Sequence, residues 1–285
     1  RLGGLFTGNP VVSCRRTHDP YTESQQAEGI VDSQAISNAV SVLARGRLED
    51  ARLDQLMESF RPVDESDAYQ LQAALSEQLT AGGYGEPVGR KIGCTTAVMQ
   101  EYLKIPNPCA GLVYAPTLQQ RRGTFVFDSF HHVGVECEIA VRLSEDLPES
   151  NAPYERSTIA PAVEAVMAGI EGVDDRWVDY TPMDVATLIA DDFFGAGGVL
   201  GEPVTSWRDL DLAALSGSMS INGQQVGSGV SSDIMGHPFE ALAWLANTAV
   251  QHGNSLRAGE IVFLGSIVET KWLERKWLAV SCHRL

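Results

Sequence analysis

The hydrophobic positions of the chain change their period near residue 86, from the spacing of helices to the spacing of strands. Before this point, apolar residues recur every three or four positions in two segments, which is typical of helices with one buried face. The first predicted helix follows the capping candidates Asp32 and Ser33, and the second runs from near Ser66 to Gly82-Gly83. Their predicted inward residues are Ile36, Ala39, Val40, Leu43, Ala68, Leu71, Leu75 and Leu79.

Short hydrophobic runs separated by Gly and Pro dominate the rest of the chain and are typical of strands. Asn222-Gly223 lies between two such runs and predicts a tight β-hairpin. Two helices interrupt this pattern, one over residues 161–167 and one from Pro238 to about Gln251. The sequence therefore predicts an α+β protein with a helical N-terminal lobe over residues 31–85. A β-rich domain over residues 86–285 follows it and carries the candidate chemistry.

Residues 1–30 differ from the remainder because Gly, Pro, Ser, Thr and Gln are frequent there and no hydrophobic period persists. We expect an extended or disordered tail in this segment. A remnant of an organelle transit sequence around Arg15, Arg16 and Thr17 is the alternative interpretation.

The net charge and the cysteines limit the partners and the compartment. A formal charge of −16, without clusters of Lys or Arg, argues against nucleic acid or an anionic membrane as a partner. No apolar stretch approaches the roughly 20 residues that a membrane span needs. The five cysteines are odd in number and lack CxxC spacing, so we expect reduced thiols in a cytoplasmic protein. They are Cys14, Cys94, Cys109, Cys137 and Cys282.

The most informative segment is residues 133–141, in which two acids alternate with hydrophobic residues at the period of a β-strand. One face of this strand, which includes Cys137, would pack into the core. The opposite face would carry the carboxylates of Glu136 and Glu138 side by side. Two close like charges raise each other's pKa unless a positive charge lies between them. Mg²⁺ and Mn²⁺ prefer carboxylate oxygens, so we interpret this strand as the floor of a divalent-metal site.

Three further segments carry polar groups that could complete such a site. Lys91 lies among hydrophobic neighbours, where an ammonium group is costly unless it meets an anion. Glu171 follows the predicted helix over residues 161–167 and is a candidate third oxygen ligand. Gly265 and Ser266 follow a strongly apolar run and offer a backbone N–H and a hydroxyl to a substrate carboxylate.

Each of these residues also has a simpler interpretation. Alternating acids are most often the solvated face of an antiparallel sheet, and a lone lysine often extends along the surface to water. Glu171 could be an ordinary ion-pair partner of Arg176. His131 and His132 would point to opposite faces of a strand, so at most one could reach the site. Solvent exposure at the strand edge is the simpler expectation for both.

Seven short motifs occur in order along the chain. The motif around the lysine reads GRKIGCT over residues 89–95, and the acidic strand reads VECEIA over residues 135–140. The others are SDAYQLQ at 66–72, IEGVDDR at 170–176, ADD with GVLG at 190–192 and 198–201, GHP with ALAWLAN at 236–238 and 241–247, and GS at 265–266. Together they resemble the 2-keto-4-pentenoate hydratase / 2-oxo-3-hexenedioate decarboxylase family of the fumarylacetoacetate hydrolase superfamily.

The resemblance implies a fumarylacetoacetate-hydrolase-like mixed β-sheet roll with a helical N-terminal lobe. It implies Mg²⁺ or Mn²⁺ as the cofactor, with no organic cofactor. The implied metal ligands are Glu136, Glu138 and Glu171. The implied substrate-binding residues are Lys91, Gly265 and Ser266, of which Lys91 is also catalytic. Burial would lower the pKa of Lys91 toward a role in proton transfer.

The implied reaction adds water to a 2-hydroxy-2,4-dienoate and gives a 4-hydroxy-2-oxoacid in the catabolism of aromatic compounds. The expected partner is thus a small 2-oxo or 2-hydroxydienoate acid. Members of this family are commonly homo-oligomers, so self-association is expected. A decarboxylase or an aldolase of the same pathway is a further candidate partner.

Two departures from the family pattern leave three functions open. Pro116 stands where the family has an aspartate that manages the proton or the attacking water, and Asp192 stands where an asparagine is usual. The first function is the hydratase. The second is a 2-oxo-3-hexenedioate (4-oxalocrotonate) decarboxylase, which needs the electron sink but less control of water. The third is a catalytically inactive relative that acts as a binding partner. An acylpyruvate-type C–C hydrolase matches the motifs less well.

Overall fold

A computed structural model describes residues 33–181, 183–274 and 279–283. The predicted tail over residues 1–30 and its transit-sequence alternative lie outside the described residues. The helices are α1 (Ser33–Leu48), α2 (Glu65–Ala81), α3 (Ala97–Leu103), α4 (Arg156–Ile159), α5 (Val185–Ala190) and α6 (Pro238–Gln251). The strands are β1 (Pro87–Gly93), β2 (Cys109–Tyr114), β3 (Leu118–Gln120), β4 (Val133–Leu143), β5 (Val163–Asp174), β6 (Gly195–Leu200), β7 (Ser216–Ile221), β8 (Gln224–Val230), β9 (Ile261–Trp272) and β10 (Val280–His283). None of these described helices has the length and apolar character that crossing a membrane requires.

The described strands form two sheets. The larger is a mixed sheet in the order β2-β1-β9-β4-β5-β6-β3, and β10, β7 and β8 form a small antiparallel sheet. In the large sheet, β1 runs parallel to β9 and β3 runs parallel to β6, while the other neighbours are antiparallel. The sheet curls until β2 approaches β6, where a Cβ atom at Gly195 would lie 3.6 Å from the carbonyl oxygen of Leu112. The expected mixed β-roll is confirmed.

The curl gives the large sheet an inner face and an outer face. Side chains alternate along β4, so Glu136, Glu138 and Ala140 point inward, while Cys137 and Ile139 point outward into the main core. Six buried residues fill one end of the interior: Val113, Ala140, Met167, Leu200, Ile261 and Phe263. The acidic residues occupy the other end of the same face. The predicted division of this strand into an apolar and an acidic face is confirmed.

The helices cover the outer face of the roll. Helix α2 begins at a cap in which Asp64 Oδ1 accepts a hydrogen bond from Asp67 N, and it ends before Gly82. Its predicted inward residues, all fully buried, are Ala68, Leu71, Leu75 and Leu79. Helices α1 and α6 also match their predicted positions, although Ile36, which was predicted to face inward, is only half-buried. The buried residues of α1 and α2 belong to the same core as those of β4 and β9.

The predicted helix over residues 161–167 is wrong. The chain is extended from Val163 and pairs with β4 along the whole of β5. Glu164, Ala165 and Met167 favour a helix intrinsically, but pairing beside β4 buries the interleaved valines and outweighs that local preference. Glu171 therefore lies within a strand rather than in a turn after a helix.

The predicted hairpin is present between β7 and β8. Asn222 and Gly223 join β7 to β8 with φ angles of 52° and 77°. A two-residue turn of type I′ requires positive φ at both positions, and Asn and Gly adopt it at the lowest cost. Local sequence is sufficient to specify this turn.

The expectation of five reduced thiols is wrong. Cys137 and Cys282 form a disulfide that joins β4 to β10, with Cα atoms 6.0 Å apart. Cys94 and Cys109 are free and buried, whereas Cys14 lies outside the described residues. The bonded cysteines are 145 residues apart in sequence, so their spacing gave no indication that the fold brings them together.

Candidate metal centre

Two paired strands bring the three predicted acidic ligands together. Glu136 on β4 lies directly opposite Glu171 on β5, and Glu138 is the next inward residue of β4. One carboxylate oxygen from each lies within 4.8 Å of the others. Glu138 and Glu171 are only 1% and 2% exposed, while Glu136 is half-buried. The solvated-face interpretation therefore does not apply to Glu138 or Glu171.

The cluster has fewer hydrogen-bond donors than a buried group of carboxylates needs. Glu138 Oε2 accepts a hydrogen bond from Gly265 N at 2.9 Å, but Glu138 Oε1 has no partner among the described residues. Glu171 Oε1 has an ion pair with Lys91 Nζ at 3.1 Å. An unpartnered buried carboxylate oxygen is costly. Oxygen ligands are the preferred donors for Mg²⁺ and Mn²⁺, so these residues fit a divalent cation.

Burial and mutual repulsion raise the pKa of two of the acids. Burial is the largest influence on Glu138, followed by the charges of Glu171 and Glu136, and its pKa lies well above the ordinary value. Burial also raises the pKa of Glu171 to about 7, although the charge of Lys91 acts in the opposite direction. A cation would therefore compete with protons for these two carboxylates.

Lys91 enters the cluster from β1 and is 3% exposed. Besides its ion pair with Glu171, its Nζ donates a hydrogen bond to the carbonyl oxygen of Phe193 at 2.5 Å. Burial lowers the pKa of Lys91, but the charges of Glu171 and its neighbours outweigh burial and raise the pKa above its ordinary value. The expectation of a lowered Lys91 pKa is thus wrong for the metal-free protein. It considered the effect of burial but omitted the charges of three nearby carboxylates. The interpretation as a surface lysine is also wrong.

Strand β9 borders the carboxylates, and the polar groups of Gly265 and Ser266 form hydrogen bonds with other parts of the protein. Gly265 N is the donor to Glu138, and Gly265 has a φ of 127°. Thr95 Oγ1 would lie 2.1 Å from a Cβ atom at Gly265, so both conformation and space require glycine. Ser266 Oγ lies 2.6 Å from the carbonyl oxygen of Val268. Direct binding of a substrate carboxylate by Gly265 and Ser266 stays a prediction.

Thr270, farther along β9, contacts the cluster and belongs to none of the motifs. Its Oγ1 donates a hydrogen bond to Glu136 Oε1 at 2.5 Å, which orients the least buried of the three carboxylates. The register between β4 and β9 shifts on both sides of Cys137. Such irregularities re-aim side chains, so simple alternation along β9 could not have identified Thr270.

The backbone that accepts the Lys91 hydrogen bond forms a left-handed turn. Asp192, Phe193 and Phe194 have φ angles of 54°, 46° and 64°. This conformation costs L-residues roughly 1–2 kcal/mol each. The Phe193 ring is buried, and its centroid lies 5.3 Å from Lys91 Nζ. Strained backbone of this kind persists only where surrounding contacts hold it, so those contacts matter to the site.

Two buried arginines contact Asp191, which precedes this turn, and one of them also contacts Asp192. Arg47 on α1 places Nη1 2.5 Å from Asp191 Oδ1 and Nη2 3.5 Å from Asp192 Oδ2. Arg176 places Nη2 3.1 Å from Asp191 Oδ2. Arg176 is therefore bound by Asp191, and the simpler interpretation that pairs it with Glu171 is wrong. Arg47 belongs to none of the motifs, and only the fold brings α1 to this turn.

The remaining residues singled out from the sequence have other neighbours. Pro116 packs against Gly85, where a Cβ atom would lie 2.5 Å from the proline Cδ. His131 Nε2 lies 3.5 Å from Asp50 Oδ1, and the His132 ring stacks on Trp272 with centroids 4.4 Å apart. Within the part of the chain that the structure describes, the candidate metal-binding group consists of the three glutamates and contains no histidine.

The chain is similar to several known proteins. Residues 104–279 match the family model described as fumarylacetoacetate (FAA) hydrolase C-terminal. The chain is 33% identical over 226 residues to a 2-hydroxyhexa-2,4-dienoate hydratase of Comamonas testosteroni, covering 77% of this chain and 83% of that protein. It is 31% identical over 212 residues to a 2-keto-4-pentenoate hydratase of Paraburkholderia xenovorans (strain LB400), covering 74% of this chain and 77% of that protein.

A solved structure shares the fold. The 4-oxalocrotonate decarboxylase from Pseudomonas putida G7, complexed with magnesium and adipate, superposes with a TM-score of 0.81. The match covers 88% of this chain and 93% of that chain at 21% sequence identity. At this level of identity the similarity establishes the architecture and leaves the reaction to other arguments.

Proposed function

Because the chain belongs to the fumarylacetoacetate hydrolase family, we propose that it is a metal-dependent hydratase. Its substrate would be a 2-hydroxy-2,4-dienoate from aromatic catabolism, and its product a 4-hydroxy-2-oxoacid. The observation that carries the proposal is the buried cluster of three glutamates, with an unpartnered oxygen on Glu138, beside Lys91. Two relatives that are at least 30% identical over about three quarters of the chain are named as hydratases, which supports the same reaction.

We propose Glu136, Glu138 and Glu171 as the ligands of Mg²⁺ or Mn²⁺. Bound there, a divalent cation would supply Lewis-acid stabilisation of the negative charge that develops on the 2-oxygen of the substrate. Gly265 N orients Glu138, and Thr270 Oγ1 orients Glu136. Hydrogen bonds of this kind hold ligands in position before the cation and the substrate arrive.

Lys91 is the proposed catalytic and substrate-binding side chain. The hydration moves several protons: C3 and C5 each gain one, the 2-hydroxyl loses one, and the hydroxyl group from water is added to C4. Lys91 Nζ carries a proton, is held by Glu171 and Phe193, and is shielded from bulk water. It would place positive charge beside the 2-oxygen and exchange a proton there. Gly265 and Ser266 would contact the substrate carboxylate only by exchanging their present partners.

A 2-oxo-3-hexenedioate decarboxylase is the second candidate. Pro116 supplies no acid where the hydratases have an aspartate, and loss of CO₂ demands less control of water than hydration does. The same cluster could serve as the electron sink for that reaction. An inactive binding protein is the third candidate, and the buried Lys91 with three carboxylates argues against it because such a group is costly without a purpose.

One set of assays distinguishes these candidates. The protein is incubated with 2-hydroxypenta-2,4-dienoate and with 2-oxo-3-hexenedioate, in Mg²⁺, in Mn²⁺ and in EDTA. Loss of the dienol absorbance with a 4-hydroxy-2-oxoacid as product, abolished by EDTA, is the expected result. Release of CO₂ from the second substrate alone would favour the decarboxylase. No change in either substrate would favour the inactive relative.

Two variants on the paired strands test the ligands. Glu138→Gln keeps the shape of a buried ligand and removes its charge, so we expect Mn²⁺ affinity and turnover to fall together, each by about tenfold or more. Glu164→Gln is the matched control, because Glu164 lies on β5 and its exposed side chain pairs with Arg142. Equal Mn²⁺ affinities for the two variants, measured by electron paramagnetic resonance, would contradict the metal assignment.

We also propose that the enzyme is a cytoplasmic homo-oligomer, with a pathway decarboxylase or aldolase as a candidate partner. Light scattering after size-exclusion chromatography tests self-association, and cell fractionation tests the compartment. The Cys137–Cys282 disulfide argues against the cytoplasmic part of this proposal, because disulfides persist in oxidising compartments. Alkylation of free thiols in cells, followed by mass spectrometry, tests the compartment as well: a bonded Cys137–Cys282 pair would contradict the cytoplasmic assignment.

A further inference from the structure

We infer that Arg47 is a positioning residue for Lys91, acting through the left-handed turn Asp192–Phe194. The inference rests on the catalytic role proposed above for Lys91. The ion pairs of Arg47 are with Asp191 and Asp192, so its influence on the site would pass through the backbone that these two acids anchor. Because Arg47 lies on α1, the N-terminal lobe would contribute directly to the geometry of the site.

The first step is the dependence of Lys91 on the turn. Among the residues that the structure describes, Lys91 Nζ forms an ion pair with Glu171 and a hydrogen bond with the carbonyl oxygen of Phe193. That carbonyl belongs to the middle residue of the turn. If the turn relaxed toward right-handed φ angles, the carbonyl would rotate away from Nζ. The ammonium would then be held by Glu171 alone, which is itself a proposed metal ligand.

The second step is the close packing of the turn and the lysine. Gly111 on β2 faces both of them: a Cβ atom there would lie 2.7 Å from the carbonyl oxygen of Asp192 and 3.2 Å from Lys91 Cε. The absence of a side chain at Gly111 lets the turn and Lys91 share one surface. A shift of the turn would therefore change the space available to the lysine stem as well as its hydrogen bond.

The third step is the balance of charge that holds the turn. The side chains of Arg47, Asp191 and Asp192 are 2%, 1% and 1% exposed, and that of Arg176 is 3% exposed. Asp191 is shared by both arginines, whereas Asp192 has Arg47 as its nearest ion-pair partner. Asp192 also accepts hydrogen bonds from Leu112 N at 3.2 Å and from the Tyr114 hydroxyl at 3.4 Å. Removing Arg47 would still take away its nearest cation, and a buried charge left in this way forces rearrangement. The adjacent residues that would move are those of the turn.

The test is a double-mutant cycle between Arg47 and Lys91. We expect Arg47→Met to lower kcat by about tenfold or more, because a displacement near 1 Å at a reacting group can cost that much. Mn²⁺ affinity should change by less than about threefold, since the ligands lie on β4 and β5. Arg47→Lys should recover part of kcat. Arg45→Met is the matched control, because Arg45 is on the same helix and its side chain is 57% exposed.

The coupling decides between positioning and general destabilisation. In the Lys91→Met background, Arg47→Met should change the residual rate by less than about twofold, because the group it positions is gone. An equal fall in both backgrounds would overturn the inference. If Arg47→Met does not fold, Asp191→Asn replaces it in the same cycle. It too should lower kcat in the unaltered background and change the residual rate of Lys91→Met by less than about twofold.

A structural readout separates this inference from the proposed function. Absence of turnover by the unaltered protein with both substrates would contradict the proposed function, but it would not contradict the inferred positioning of Lys91 by Arg47. Crystal structures of the unaltered protein and of whichever of Arg47→Met and Asp191→Asn folds then give the distance from Lys91 Nζ to Phe193 O. A contact that lengthens beyond hydrogen-bonding range in the variant supports the inference. A contact and a left-handed turn that stay unchanged overturn it.

Discussion

In the metal-free protein, the stability relative to a Glu171→Gln variant should fall as the pH rises from about 5 to 8. The cause is Glu171, whose pKa in the folded protein is raised to about 7 from an ordinary value of 4.5. A pKa that is higher in the folded state means that the folded state holds the proton more tightly than the unfolded chain. This contribution to stability is complete below the unfolded pKa and is lost as the pH rises through the folded pKa.

The size of this effect follows from the shift of the Glu171 pKa. A change from 4.5 to about 7, at 1.36 kcal/mol per pKa unit, corresponds to a loss of about 3 kcal/mol between acid and alkaline limits. The raised pKa of Glu138 acts in the same direction. The raised pKa of Lys91 contributes constant stability across this range, because its contribution is lost only above the ordinary pKa of 10.5. Acids with lowered pKa values, such as Glu164, lose their contribution at more acidic pH.

The measurement is urea unfolding of the metal-free protein at several pH values between 5 and 8, at one protein concentration. Glu171→Gln is the reference, since it keeps the size of the side chain and cannot ionise. The difference in unfolding free energy between the unaltered protein and this variant should fall by about 2.5 kcal/mol over this range, because part of the full effect lies below pH 5. Mg²⁺ at 100 times its Kd should restore about 2.7 kcal/mol to the unaltered protein at pH 8. Parallel pH slopes for the two proteins in EDTA would refute the reasoning.

Three further predictions concern individual side chains. Lys91→Met should lower turnover by about 100-fold or more while Mn²⁺ affinity changes by only a fewfold, and unchanged turnover in steady-state assays would remove Lys91 from the mechanism. Thr270→Val should weaken Mn²⁺ binding about tenfold by calorimetry, whereas Thr270→Ser keeps the donor and should bind nearly as the unaltered protein does. Leu71→Ala, at a fully buried position of α2, should lower the unfolding free energy by about 2–5 kcal/mol, against about 0.5 kcal/mol or less for the exposed control Gln70→Ala.

Local sequence patterns were sufficient to predict the elements that depend mainly on residues close together in the chain. The apolar spacing of α1, α2 and α6 predicted their positions, and Asn222-Gly223 predicted the hairpin between β7 and β8. Alternation on β4 predicted that Glu136 and Glu138 share the face opposite the core. These signals operate over one or two turns of helix or a few residues of strand.

The parts that could not be predicted depend on contacts between distant segments. The start of β5 was interpreted as helix because its partner β4 is visible only in the fold. Thr270 reaches Glu136 through an irregular register, and Cys137 meets Cys282 across 145 residues. Arg47 is a polar residue at the end of an amphipathic helix, where exposure is the usual expectation, yet it is buried against Asp191. Their roles at the site remain predictions.

The shared core of α1, α2 and the roll has a consequence for how this protein can change over evolutionary time. A fragment of residues 86–285 would keep every proposed ligand, but it would expose the part of the core that α1 and α2 cover and would leave Asp191 without Arg47. The two halves therefore cannot be exchanged independently between relatives. We expect substitutions at positions 47, 191 and 192 to occur in correlated sets, with the helical half diverging in step with the chemistry it supports.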